Sequence, residues 1–172
     1  MSEPKIIAFS GAHGTGKTTA VYALAAELKR QVSGEVEIVL ETARQCPYQV
    51  ISSGHDVSSK EGQLWIFSKQ MQAEMDAARF YDVVVSDRTI LDCIAYTSIS
   101  GMHDLAYGMC EIAKHYAPGM YREVRFRSIL ANDFLTDDCF RSTSQAVRQD
   151  FEMALLSLYQ ALKIKVVRDD GH

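Results

Sequence analysis

Gly11-Ala12-His13-Gly14-Thr15-Gly16-Lys17-Thr18 gathers three glycines, a lysine and a hydroxyl into eight consecutive residues. The spacing is G-x-x-x-x-G-K-[ST], which suits the holding of a polyphosphate. Glycines allow positive φ, so successive backbone N–H groups can close on an anion. A helix beginning at Lys17 would add its unpaired N-terminal amides and the positive end of its dipole. Lys17 is expected to reach the β- and γ-phosphates and the Thr18 hydroxyl to ligate Mg²⁺, with Thr19 adding a weaker phosphate contact. Ala12, His13 and Thr15 supply loop amides. A histidine can also carry a proton, but a positional role is the expectation for His13.

Such a cradle needs an acidic partner near the metal, at the carboxyl end of a neighbouring strand. Asp87 closes the apolar run 83–86 and has that position; the alternative is that it caps the helix that follows. Arg88 can grip a phosphate or carboxylate through two N–H groups, or form a structural ion pair. Glu41 ends another strand, and in a parallel sheet it emerges on the same edge. A carboxylate there can accept or orient the proton of a substrate hydroxyl. Arg44, one helical turn on, can hold an anionic or hydroxylated substrate, or pair with Glu41 at the surface.

Gln63, Phe67 and Gln70 recur at i, i+4 and i+7. One aromatic and two amides could stack on and hydrogen-bond a planar base. The competing reading makes Phe67 core and the glutamines solvated, and it is preferred for Gln70. The polar stretch 133–148 holds Arg141 and Arg148. An arginine on a mobile loop stabilises the charge that phosphoryl transfer spreads over equatorial oxygens, and closing the loop excludes water. Arg141 is the preferred residue; Arg148 begins a helix and is expected to face solvent.

The elements that must position these groups alternate. The run 5–10 reads as a buried strand. A helix follows from 17 to about 31, with Val21, Leu24, Ala25 and Leu28 on one face. A second strand spans 36–40. After the polar loop 46–59, Ser58 or Ser59 caps a helix running to about 81, with Leu64, Phe67, Met71 and Met75 on one side. Strand 82–87, helices 90–98 and 103–115, strand 123–130, polar loop 131–143, helix 144–162 and strand 164–167 complete the order. The last helix carries Val147, Phe151, Leu155, Leu158 and Leu162 on one face. This alternation predicts an α/β fold of three layers, a five-stranded parallel sheet with helices on both faces.

The chain has 172 residues, 47% apolar and 23% charged, which predicts one domain over 1–172 and excludes disordered, collagenous and disulfide-framework classes. A net charge of −4 disfavours nucleic acid as a partner. No apolar run approaches the roughly 18 residues that cross a bilayer, so no membrane association is expected. Cys46, Cys93, Cys110 and Cys139 lack C-x-x-C spacing and read as reduced thiols. The first residues show no basic segment leading into an apolar stretch, so a cytoplasmic protein is expected.

With these residues assembled, the chain resembles the small P-loop kinases of the nucleoside and nucleotide kinase group. Within that group it is most similar to the AAA-type ATP-binding family that includes nicotinamide riboside kinase-like domains. The matching pieces are Phe9-Ser10-Gly11-Ala12-His13-Gly14-Thr15-Gly16-Lys17-Thr18-Thr19, Glu41-Thr42-Ala43-Arg44, Asp87-Arg88-Thr89 and Asp138-Cys139-Phe140-Arg141-Ser142. The resemblance implies ATP and Mg²⁺, an acceptor site near Glu41, Arg44, Asp87 and Arg88, and a lid around Arg141 at about 131–148. The implied activity is transfer of the γ-phosphoryl group to a small nucleoside- or nucleotide-like acceptor, with Glu41 or Asp87 as base. A homodimer is allowed. The alternatives are an ATP-binding regulatory module with slow hydrolysis, or a kinase acting on a hydroxyl of a modified nucleic-acid base. A GTPase is disfavoured because the sequence has no N-K-x-D.

Overall fold

The computed structural model describes residue 3 and residues 5–48, 59–128 and 145–169. β1 (Ile6–Ser10) is the centre of a parallel five-stranded sheet that also contains β2 (Val36–Val39), β3 (Val83–Asp87), β4 (Tyr121–Phe126) and β5 (Val166–Arg168). The spatial order is β2-β3-β1-β4-β5, and every neighbouring pair is parallel. Around the sheet run α1 (Lys17–Gln31), a 3₁₀ turn (Ala43–Gln45), α2 (Lys60–Phe80), α3 (Ile90–Ile99), α4 (His103–Met120) and α5 (Gln145–Ala161). This is the α/β architecture that the alternation of patterns predicts. Among the described residues no helix is long and apolar enough to cross a membrane.

The pleat sorts each strand between two cores, because successive side chains point to opposite faces. Ile6, Ala8 and Val84 join a large cluster with Ile90, Leu91, Ile94, Met109, Phe151 and Leu155. Ile7, Phe9 and Val85 join a smaller one with Val36 and the α1 residues Val21, Leu24 and Ala25. α1 thus covers one face, while α2, α3, α4 and α5 contribute to the cluster on the other. The same alternation turns Asp87 toward α1 and Ser86 toward α2.

β4 explains a charge pattern that is unusual for an interior strand. Val124 and Phe126 lie in the large core, whereas Glu123 and Arg125 alternate to the other side. There Arg125 pairs with Glu123 at 3.1 Å and sits 5.8 Å from the Phe9 ring centroid, and Lys165 reaches Glu123 at 3.2 Å. The strand needs an apolar side chain only where helices cover it.

Two expectations change and one is narrowed. α4 runs on to Met120 and takes Pro118 into its last turn, so β4 starts at Tyr121 rather than near 123. A proline there removes one N–H close to the end of the ladder, where the loss is smallest. Ser59, rather than Ser58, caps α2 by accepting from the Gly62 N–H at 3.0 Å. The buried stripe of α2 is Gln63, Phe67, Gln70, Glu74 and Ala77, while Leu64 and Met75 are exposed. This stripe stays inside because its polar atoms find hydrogen-bond partners on other elements.

Candidate active site

Beyond Ser10 the chain turns sharply, with Gly11, Gly14 and Gly16 at φ of 126°, 69° and 71°. A Cβ on Gly11 would lie 2.2 Å from the Arg127 carbonyl oxygen, so the loop seats against the end of β4 only with glycine there. Gly16 is the N-cap of α1 and has no side chain to bond the first amides of that helix. Those amides remain available to an anion. Lys17 is buried and folds over the loop, where Nζ donates to the Ala12 carbonyl at 2.5 Å and to Thr15 Oγ1 at 3.2 Å. Burial, reinforced by Arg88, pushes its pKa down to about 7 against the pull of Asp92, Asp87 and Glu41. A bound phosphate would restore the charge that burial disfavours.

Thr18 Oγ1 donates to Asp87 Oδ2 at 2.5 Å, so the hydroxyl and the carboxylate expected at the metal are in direct contact. Burial raises the Asp87 pKa, and the Thr18 hydrogen bond and Arg88 oppose the rise. Asp87 does not cap α3. Thr89 does, within a capping box completed by Asp92. Both Thr18 and Asp87 offer the hard oxygen that Mg²⁺ prefers, and so few protein ligands leave coordination positions for phosphate and water. Among the described residues no group of three or more His, Cys, Asp or Glu is placed to hold a metal ion.

Arg88, 7% exposed, takes φ of 85°, a left-handed conformation that side chains rarely adopt. Its Nε donates to Glu41 Oε1 at 2.6 Å, and its Nη1 to Asp92 Oδ1 at 3.1 Å and to the Gly11 carbonyl at 3.4 Å. Nη2 lies 3.1 Å from His13 Nδ1. A guanidinium only donates, so Nδ1 accepts and the His13 proton sits on Nε2. Nε2 then donates to the Tyr96 hydroxyl at 2.6 Å. The His13 ring stacks on Tyr96 and Tyr96 on Phe151, at centroid distances of 5.1 and 4.0 Å. The positional role expected of His13 therefore includes its side chain.

The structure brings together Gly11–Thr18, Asp87, Arg88 and Glu41. Arg44 lies at the rim; its side chain is 62% exposed and its Nε is 4.0 Å from Glu41 Oε2. Phe67 belongs to the large core, which favours packing over base stacking. Gln63 is buried, and its Oε1 accepts from Cys93 Sγ and Thr97 Oγ1, both at 3.2 Å. Gln70 is buried too, contrary to the solvated reading. Arg148 was expected in solvent, yet it is 4% exposed and donates from Nη2 to the His13 carbonyl at 3.0 Å. The reason is the docking of Phe151 and Leu155, which turns the start of α5 toward the glycine loop. Arg141 and most of the expected lid lie outside the described residues.

Sequence reasoning missed three participants and one buried carboxylate behind them. Asp92 was visible as the fourth residue of a T-x-x-D capping pattern, and Glu74 as the next member of the Gln63-Phe67-Gln70 stripe. Arg127, just past β4, donates from Nη1 to the Gly16 carbonyl at 2.9 Å. Tyr96 carried no local signal.

Strand order, glycine cradle and the Thr18–Asp87 pair define a P-loop protein with the fold of the small nucleotide kinases. By sequence the chain belongs to the AAA domain family, whose model matches residues 6–172. A similar solved structure is thymidylate kinase from Ehrlichia chaffeensis, at 15% identity and a TM-score of 0.67, covering 98% of this chain and 93% of that one. At that identity the likeness is one of fold. No curated protein matches the sequence.

Proposed function

We propose that the chain is an ATP-dependent kinase that transfers the γ-phosphoryl group to a small nucleoside- or nucleotide-like acceptor. The carrying observation is the adjacency along β3 of Asp87, bonded to Thr18 at 2.5 Å, and Arg88, bonded to Glu41 at 2.6 Å. A metal-and-phosphate corner and an acceptor-side carboxylate thus share one strand end. The amides of the glycine loop hold the polyphosphate, and Lys17 pairs with its terminal groups. Thr18 and Asp87 hold Mg²⁺, which neutralises charge on the phosphates when bound. Glu41, fixed by Arg88, orients an acceptor hydroxyl, with Asp87 as the other candidate for the proton. Arg44 at the rim meets an anionic or hydroxylated part of the acceptor. Arg148 supplies a guanidinium beside the loop, and Arg141 joins it from the lid at 131–148 of a single domain. The fold shared with a thymidylate kinase supports an acceptor of nucleotide type.

The test incubates the protein with Mg-ATP and a panel of nucleosides and nucleoside monophosphates, with products read by mass spectrometry. One acceptor class should be phosphorylated, and Lys17→Ala should slow its turnover by about 100-fold or more. Slow ATP hydrolysis with no phosphorylated acceptor would replace this reading with the regulatory module.

A further inference from the structure

Glu74 is fully buried on α2 and has no part in the chemistry above. Its Oε1 lies 3.0 Å from both Gln70 Nε2 and Ser86 Oγ, and its Oε2 accepts from the hydroxyls of Tyr116 at 2.8 Å and Tyr121 at 2.7 Å. Gln70 links the group to the Glu41 edge, because its Oε1 accepts from Thr42 Oγ1 at 3.2 Å. Ser86 links it to the strand end, because Oγ is 2.9 Å from the Arg88 carbonyl oxygen.

Counting hydrogens exposes a conflict. Ser86 Oγ owns one hydrogen. It already accepts from Gln70 Nε2 at 3.1 Å, and it faces two oxygens that both want that hydrogen, Glu74 Oε1 and the Arg88 carbonyl. A carbonyl cannot donate. With each hydrogen in a single two-centre bond, the network closes when Glu74 is protonated on Oε1 and donates to Ser86, which then donates to Arg88. All the other bonds survive this assignment, since Gln70 and the two tyrosines only donate to Glu74. If Glu74 is ionised, its proton is in solvent, Ser86 turns to the carboxylate, and the Arg88 carbonyl loses the bond.

We infer that Glu74 is a positioning residue for Arg88: protonated, it passes a hydrogen bond through Ser86 to the Arg88 backbone, and ionised, it withdraws that bond. The bond supports a peptide held in a strained conformation, and losing it loosens the guanidinium from Glu41 and His13. Burial pushes the Glu74 pKa up to about 7, against hydrogen bonds from Gln70, Tyr121, Tyr116 and Ser86 that pull it down. Both forms are therefore populated near neutrality. The groups that face it are Gln70 on α2, Ser86 on β3, Tyr116 on α4 and Tyr121 at the start of β4; Tyr159 on α5 feels its charge. Among the described residues no cation is bonded to it. Only the effect of this hydrogen-bond exchange on turnover rests on the phosphotransfer reading.

The test follows the ¹⁵N resonance of Arg88 Nε in the full chain from about pH 5.5 to about 8.5. Wild type should show a transition. Glu74→Gln, whose amide still donates to Ser86, should stay at the low-pH position, and Ser86→Ala should stay at the high-pH position. An unmoved resonance in wild type overturns the inference, as does a transition that persists in Glu74→Gln and so belongs to another group, such as Lys17 beside Arg88. Should Glu74→Gln not fold, Ser86→Ala decides alone, and a surviving transition overturns the relay. In turnover, acceptor KM should rise with pH in wild type and stay flat in Glu74→Gln, with kcat less affected; equal profiles overturn the positioning role. If wild type phosphorylates nothing while the Arg88 transition still follows Glu74, the kinase reading fails and the relay stands.

Discussion

Arg88 holds Glu41, Asp92 and His13 through one planar fork. Truncating it leaves two carboxylates facing a buried space, with side chains only 12% and 1% exposed. Breaking a buried pair costs more than the pair contributes, because the remaining charge is uncompensated. Arg88→Ala should therefore lower the free energy of unfolding by about 3 kcal/mol, measured by urea denaturation, and abolish acceptor turnover. Arg88→Lys keeps the charge without the fork and should lie between, because one ammonium cannot serve three partners at fixed angles. At this scale the glycine loop and the strand-end place of Asp87 beside Thr18 were legible, since their spacing is local. Arg88 was legible as an ion pair. Its carboxylate Asp92 and its imidazole His13 were not assigned to it, because nothing local tells a guanidinium which partners will surround it.

Elements set the next level. The glycine loop is fixed at its first residue by the end of β4, where a side chain on Gly11 would collide with the Arg127 carbonyl. Gly11→Ala should weaken Mg-ATP binding by at least about 10-fold and destabilise the fold by about 1–3 kcal/mol, since it combines a collision with an unfavourable φ. Calorimetry and thermal unfolding check the two parts; unchanged binding would mean that the loop tolerates displacement. The bounds of α1 and β3 were readable from apolar periodicity. The buried face of α2 was not. A stripe of two glutamines and a glutamate resembles a wet surface until Ser86, Tyr116 and Tyr121 arrive from strands and helices distant in sequence. Arg148 was misplaced for the same reason, because helical periodicity cannot know what lies opposite the first turn of α5.

The whole molecule carries a proton-dependent stability. The folded pKa of Glu74, about 7, exceeds its ordinary 4.5, so the folded state binds that proton more tightly than the unfolded chain does. The resulting stabilisation is complete below pH 4.5, declines as pH rises, and is lost above about 7. Unfolding free energies from urea denaturation of wild type should fall across this window relative to Glu74→Gln by an amount of the order of 3 kcal/mol. Parallel values would show that the carboxyl titrates alike in both states. The sheet and its two covered faces were legible in the alternation of patterns, but the uneven cover was not. That unevenness leaves charges on one side of β4 and concentrates the polar machinery where β1, β2 and β3 end together. The guanidinium of Arg88 touches the loop after β1, the segment after β2 and the helix after β3. On the kinase reading this shared cation joins the donor side to the acceptor side, and loading one is expected to alter the affinity of the other by the same factor in both directions.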